Sequence, residues 1–440
     1  MIRRPATYLL VAALGLAAPA AAQTPLTLTE AIARARARNP DAAGAAAAER
    51  EAAQRVTQAR AGYLPKVDVI ESWQRGNQPV FVFSSLLAQR QFTASNFAIG
   101  ALNHPDALDN FRSAVMVEQS LFDGTTRANV AAAGIGHEMA TTGRLMVDQD
   151  LAASVTNAYG RVLVAGAARQ AAAAAAETAR ADRELAGNRR DAGLVTDADV
   201  LQLDVHMSRA REQQIRAASD ERVARAQLNQ LMGEPLDAAF ALDHGATAAP
   251  IGVTDIASLE AEALENRPDV KLAALQEQLA GTMQTAARAA FLPQVTAQSG
   301  WELNGGAWNS RASSWVVGAV ARVNVFHGFA DKARLAEARE QSTRRALERK
   351  KAETAARLDV HIAVARLDAA RASEAVGRAT VEQARESQRI IRDRYAAGLT
   401  DVTSLLRAAE GVVQAETQQV TAQVAVLTES AALERTLGRR

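Results

Sequence analysis

Cysteine is absent from all 440 residues. The fold therefore holds without disulfides, and no lipid can be attached at an N-terminal cysteine. Aromatic residues make up only 4% of the chain. That is few for one large globular core, whereas Ala-rich, aromatic-poor sequence suits helices packed closely along their length. Neither sign of charge is in excess, with 50 Lys and Arg against 49 Asp and Glu. This balance argues against a dedicated nucleic-acid binder, which shows a basic stripe. No apolar run is long enough to cross a bilayer as a mature helix. The six histidines, His104, His137, His206, His244, His327 and His361, stand at no metal-ligand spacing. No metal is expected, and they are assigned no role. There is no phosphate-cradling Gly-rich loop with its lysine, no nucleophile elbow and no HExxH. No cofactor or catalytic residue is expected, and the chain is not read as an enzyme.

What is present begins with an export signal. Met1-Ile-Arg-Arg4 leads into an apolar run from Tyr8 to Ala17, then Pro19-Ala-Ala-Ala22-Gln23. A charged start, a short apolar stretch and a small-residue cleavage site read as a secretory signal peptide over 1–22.

The rest is a tandem duplication. Asn39-Pro-Asp41 matches Arg267-Pro-Asp269, Tyr63-Leu-Pro65 matches Phe291-Leu-Pro293, and Trp73 matches Trp301, each displaced by 228 residues. Phe122-Asp-Gly124 matches Phe326-His-Gly328 at 204, and Gly193 matches Gly398 at 205. The fall from 228 to 204 places 24 additional residues in the first copy, between Trp73 and Phe122. The first repeat is placed at 23–235, a Gly/Pro-bearing linker at 236–254 and the second repeat at 255–440.

Each copy opens with helix, Leu28 to Arg60 in the first, interrupted at Pro40. Period-two alternation then predicts strands. Val67, Val69 and Trp73 lie opposite Lys66, Asp68 and Ser72. Val115, Val117 and Leu121 lie opposite Glu118 and Ser120. Val295, Ala297 and Trp301 lie opposite Gln294, Thr296, Gln298 and Glu302. From Trp315 to Phe326, Val317, Ala319, Ala321, Val323 and Val325 lie opposite Arg322 and Asn324. Strands of about ten residues suit tilted membrane crossings. Loops are expected over Arg75 to Arg112 and Asn304 to Ser314.

Proline-free helical runs follow, from Thr125 to Ala192 and from Phe329 to Ala397, each about 100 Å long at 1.5 Å per residue. Leu347, Leu358, Ile362, Leu367, Val376, Val381 and Ile390 give one a broadly coiled-coil seam. Returning helices are expected from Ala198 to Met232 and from Val402 to Leu437. Between each pair of runs stands a short break. Gly193 and Gly398 are placed to end one helix in the left-handed conformation that glycine takes freely. Thr196 and Thr400 are placed as N-caps of the next, with Asp199 three residues beyond Thr196. Each break is the tip of a helical hairpin.

Four membrane-length strands cannot close a barrel alone, since the smallest have about eight. Open strand edges in lipid leave backbone groups unpaired at several kcal/mol each. Other copies of the chain must complete the sheet.

In these features the chain resembles the TolC family of outer-membrane efflux proteins. The resemblance spans essentially the whole mature chain. It rests on the duplicated plan, on Tyr63-Leu-Pro65 and Phe291-Leu-Pro293 before the strands, and on the two Ala-Gly-Leu tips. It implies a mainly α fold with β, made of tandem helix, β-hairpin and long-helix repeats. It implies a homotrimer whose four strands per chain form a 12-stranded outer-membrane barrel, continued across the periplasm by an α-helical barrel. A periplasmic adaptor protein and an inner-membrane pump of RND, ABC or MFS type are the implied partners, with outer-membrane lipid around the strands. The protein is then a passive exit duct for efflux or type I secretion. The alternative is a periplasmic adaptor, which also carries long helical hairpins; adaptors usually have one, flanked by β-rich domains.

The resemblance places adaptor contacts at Gly193, Leu194, Gly398 and Leu399. Tyr395 matches a gate tyrosine. Thr400 stands where some members have a gate arginine. Ser404 and Arg407 stand where some carry two aspartates, so this chain is expected to lack that acidic ring. Asp199 matches an acidic tip position, with Asp197 and Asp401 nearby. Each has a plainer reading beside it. The glycines are helix caps, the aspartates suit the first turn of any helix, and Tyr395 can be ordinary packing. Trp73, Trp301 and Trp315 are either strand residues or an aromatic belt at a membrane interface. The insert with Phe81, Phe83, Phe92 and Phe97 is either a disordered loop or a packed external lid or plug.

Overall fold

The computed structural model describes residues 25–243 and 255–439. The expected signal peptide, the later part of the linker and His244 lie outside the described residues. Elements run in the expected duplicated order. The first copy holds α1 (Leu28–Arg38), α2 (Pro40–Arg60), β1 (Lys66–Gly76), α3 (Pro79–Ala88), α4 (Ile99–Asn103), β2 (Leu108–Phe122), α5 (Gly124–Asp191) and α6 (Asp197–Met232). The second holds α7 (Ile256–Asn266), α8 (Pro268–Ala289), β3 (Gln294–Ala307), β4 (Ser310–Arg322), α9 (Ala330–Ala396) and α10 (Val402–Thr436). No described helix is long and apolar enough to cross a membrane.

Helix starts follow local chemistry. Asn39 accepts a hydrogen bond from the Asp41 N–H at 2.7 Å, and Pro40 stands at the first helical position of α2, where its missing N–H costs nothing. The second copy has Arg267 in that place, which cannot accept. Its guanidinium instead pairs with Asp269 at 2.7 Å and Asp359 at 2.9 Å.

Packing divides the chain into two compact units. One takes the described residues of 1–38, 154–249 and 370–428, the other those of 39–153, 250–369 and 429–440. Each draws on both sequence copies. In the first unit, the buried Tyr159 hydroxyl donates to Leu26 O at 3.0 Å and Asp243 O at 2.7 Å. Burial pushes this phenol up to about 12. Around it, Leu26 and Leu242 form a parallel bridge.

The second unit holds one antiparallel sheet in the order β1-β2-β3-β4. Val67 pairs with Val117, Val115 with Trp301, and Trp301 with Trp315. The strands differ from expectation at their ends. The expected loop from Asn304 to Ser314 is mostly strand, because Asn304 pairs with Ala312 and Ala307 with Ser310, leaving a two-residue turn. β4 stops at Arg322, not Phe326, because its partner β3 begins at Gln294, directly after Pro293. β1 and β2 likewise extend into the expected loop, to Gly76 and from Leu108. The residues between them are ordered, as described below.

Candidate functional site

In the first unit, the two helix ends repeat each other in detail. Gly193 takes φ +74° and Gly398 φ +75°. The Gly193 N–H donates to Arg190 O at 2.8 Å and the Leu194 N–H to Arg189 O at 2.9 Å. The Gly398 N–H donates to Tyr395 O at 3.0 Å and the Leu399 N–H to Arg394 O at 2.8 Å. These paired bonds satisfy carbonyls that a helix end leaves bare. The apolar residue after such a glycine frequently tucks against the last turn. Here Leu194 is 66% and Leu399 67% exposed.

The following helices start with the same cap at the same two positions, the hydroxyl and the acid having exchanged places. Thr196 accepts from the Asp199 N–H at 3.3 Å, and Asp199 accepts from the Thr196 N–H at 3.0 Å. In the second tip Asp401 accepts from the Ser404 N–H at 2.8 Å. The cap of α10 is therefore Asp401, and the expectation of Thr400 is corrected. Thr196 displaced by 205 falls on Asp401, so the repeat itself points to it. The Ser404 hydrogen bonds hold the Asp401 carboxyl below the ordinary range, helped by the Arg407 charge. Asp197 and Arg407 stay exposed, while Thr400 and Ser404 are half-buried.

Behind the tips, Tyr395 is buried in a cluster with Ala186, Val200, Leu203, Val402 and Leu405. Its hydroxyl has no hydrogen-bond partner, and burial raises its pKa. Arg189 stacks on it, 5.1 Å from the ring centre. The same guanidinium donates to Tyr395 O and, at 3.1 Å, to Ala396 O. A cation from α5 thus fills the carboxyl end of α9, where the helix dipole favours positive charge. One turn further in, Arg392 pairs with the buried Asp182 at 3.0 Å. Burial nevertheless pushes the Asp182 carboxyl upward, against Arg392 and His206. Arg189, Asp182 and Arg392 were not singled out from sequence. Two arginines ending α5 are the only signal there, and it reads first as a local cap.

In the second unit, the sheet has two unlike faces. Val67, Val69, Trp73, Phe111, Val115, Val117, Trp301, Trp315 and Val317 share one face by register. Trp73, Trp301 and Trp315 are all exposed on it. Near its outer end, Phe111 lies between Trp73 (6.4 Å) and Trp308 (6.0 Å). Asp109 accepts from Trp73 Nε1 at 3.0 Å and Arg75 at 2.9 Å. Gly305 has no side chain to block Arg311, which crosses it, stacks 4.1 Å over Trp308 and reaches Ser113. The other face carries Lys66, Asp68, Ser72, Asn110, Arg112, Glu118, Gln298, Glu302 and Asn304, with Ile70, Met116 and Val316 among them. Arg112 pairs there with Glu302 at 2.7 Å. Among the described residues no three His, Asp or Glu side chains converge on a metal site.

A family model described as outer membrane efflux protein matches residues 31–234 and 259–439. The chain belongs to that family. The resemblance to the TolC type is thereby borne out, as is the mainly α fold with its four-stranded sheet. Protein CyaE of Bordetella pertussis is 30% identical over 324 residues, 72% of this chain and 68% of that protein. The outer membrane protein VceC of Vibrio cholerae shares the fold at TM-score 0.79 and 19% identity, over 94% of this chain and 96% of that one. The Campylobacter jejuni CmeC outer membrane channel matches at TM-score 0.78 and 16% identity, over 93% and 85%. The Neisseria gonorrhoeae MtrE outer membrane channel, solved in an open state, matches at 0.75 and 19%, over 94% and 89%.

Proposed function

We propose that the chain is the outer-membrane exit duct of a tripartite efflux or type I secretion system. Three copies close a 12-stranded barrel, four strands each, and their long helices continue it into the periplasm. An inner-membrane pump of RND, ABC or MFS type drives substrate through a periplasmic adaptor into this passive conduit. The observation that carries the reading is the open sheet with one apolar face. β1 and β4 each pair on one side only, and exposed Val67, Val69, Trp315 and Val317 crowd the apolar face. In lipid both edges must be paired, and other copies supply the pairing. At the tips, exposed Leu194 and Leu399 are the adaptor contacts, with the glycines holding them outward. Tyr395, held by Arg189, and the acids Asp197, Asp199 and Asp401 line the candidate gate with Thr400, Ser404 and Arg407. Trp73, Trp301 and Trp315 mark the lipid interface.

The deciding experiment is oligomeric mass in detergent together with single-channel conductance in a planar bilayer. The mass of three chains with discrete conductance steps is expected. A monomer that neither inserts nor conducts would sink the reading. Leu194→Ser with Leu399→Ser tests the tips: transport in cells should fall while trimer mass and conductance stay unchanged.

A further inference from the structure

The 24 additional residues of the first copy fold into a compact cap. α3 is followed by a short turn over Ala94–Phe97 and by α4. Phe92 packs edge-on to Phe83 at 4.8 Å and to Phe97 at 5.0 Å. Between Gly76 and Pro105 the only charged side chain is Arg90. Val80, Leu87, Phe97 and Ile99 are nonetheless exposed. An uncharged apolar surface of this kind marks a contact that the single chain does not satisfy.

Its attachment settles which side of the sheet it occupies. Gln89 Nε2 donates to Asp109 O at 2.8 Å and to Asn110 Oδ1 at 3.0 Å. Asn110 Nδ2 donates to Asn304 Oδ1 at 3.0 Å. All three amides are buried, and Asn110 and Asn304 belong to the polar face. Arg90 reaches β4, donating to Ser313 O at 2.9 Å. Arg90 also takes φ +55° as the residue that ends α3, its N–H donating to Leu87 O at 3.0 Å and the Gln91 N–H to Leu86 O at 2.9 Å, so the helix closes with the same paired bonds as at Gly193. The insert is fastened to the outer ends of β2, β3 and β4 on the side away from the apolar face.

We infer that this insert is a plug at the external mouth, completed by the same segment of two other copies of the chain. The inference rests on the trimeric duct proposed above. A 12-stranded wall with strands about 4.8 Å apart and tilted about 40° is about 24 Å across. Three helices about 10 Å wide packed around an axis span about 22 Å. Three inserts on the polar side therefore fill the opening. Apolar Val80, Phe97 and Ile99 meet their own copies there without like-charge repulsion, which a charged loop could not do.

The absence of cysteine makes the test clean. Ile99→Cys in the otherwise Cys-free trimer is expected to cross-link to a dimer on oxidation. Val317→Cys on the apolar face should stay monomeric under the same conditions. Gln298→Cys, on the polar face of β3, reports access from outside intact cells. Its labelling by a bulky maleimide is expected to speed up several-fold when residues 78–105 are replaced by a short Gly-Ser link. A three-chain mass with no Ile99 cross-link and equal labelling rates overturns the plug and leaves the duct standing. A one-chain mass overturns both.

Discussion

The guanidinium of Arg189 sits at the carboxyl end of a helix other than its own. It bonds two carbonyls of α9 and covers the Tyr395 ring. Lysine cannot reproduce this planar fork. Tyr395 contributes differently, since its hydroxyl is buried without a partner. Its ring holds the tip together and its oxygen does not. The two residues should therefore separate on substitution. Arg189→Ala is expected to loosen the end of α9 by about 1–2 kcal/mol, the worth of a charged hydrogen bond discounted for partial exposure. Faster amide exchange at Gly398 and Leu399 and larger conductance steps would report it. Tyr395→Phe should leave both unchanged. Larger steps in Tyr395→Phe would mean that the hydroxyl itself holds the gate.

The two hairpin tips are one structural solution written twice, with a hydroxyl capping at Thr196 and an acid at Asp199, and the acid capping at Asp401 with the hydroxyl at Ser404. The exchange changes how each tip answers acid. The Asp401 carboxyl is held below the ordinary aspartate range. A depressed carboxyl stabilises the fold above its unfolded pKa and loses that contribution as pH falls through its folded value. Protection of the Ser404 amide is thus expected to hold from pH 7 to pH 5 and to fall only below the ordinary aspartate range. Loss of protection near pH 6 would show that another group controls the start of α10. Much of this level was legible in the sequence, because displacement by 228, 204 and 205 residues copies every helix and strand outside the insert from one half to the other. Glycine caps and period-two strands depend on nearby residues and can be read locally. Strand ends could not, since β4 stops where its partner stops. The insert could not either, because Gln89 finds Asn110 and Asn304 only after β1, β2 and β3 have assembled. The Arg189 clamp joins residues 206 positions apart, and no local pattern announces it.

At the scale of the whole molecule, the proposed function turns on which solvent each face of the sheet meets. Adjacent residues of β4 put this to a direct test. Val316 and Val317 are 66% and 69% exposed in the single chain. They differ only in face, since Val316 shares the polar side with Glu302 and Asn304, and Val317 shares the apolar side with Trp301 and Trp315. If both faces met water, lysine at either position would have the same small effect. In a barrel wall the two must diverge. Lysine facing lipid costs about 2–4 kcal/mol at the bilayer midplane, falling off toward the interfaces. Lysine facing a water-filled interior keeps its hydration. Val317→Lys is therefore expected to assemble poorly into lipid vesicles, while Val316→Lys assembles like the parent chain and shifts conductance through its added charge. Equal assembly of the two variants would mean that the apolar face does not meet lipid. The sheet edges would then need another explanation than closure by neighbouring copies. The reverse asymmetry, with Val316→Lys failing, would place lipid on the opposite face and put the insert outside the mouth.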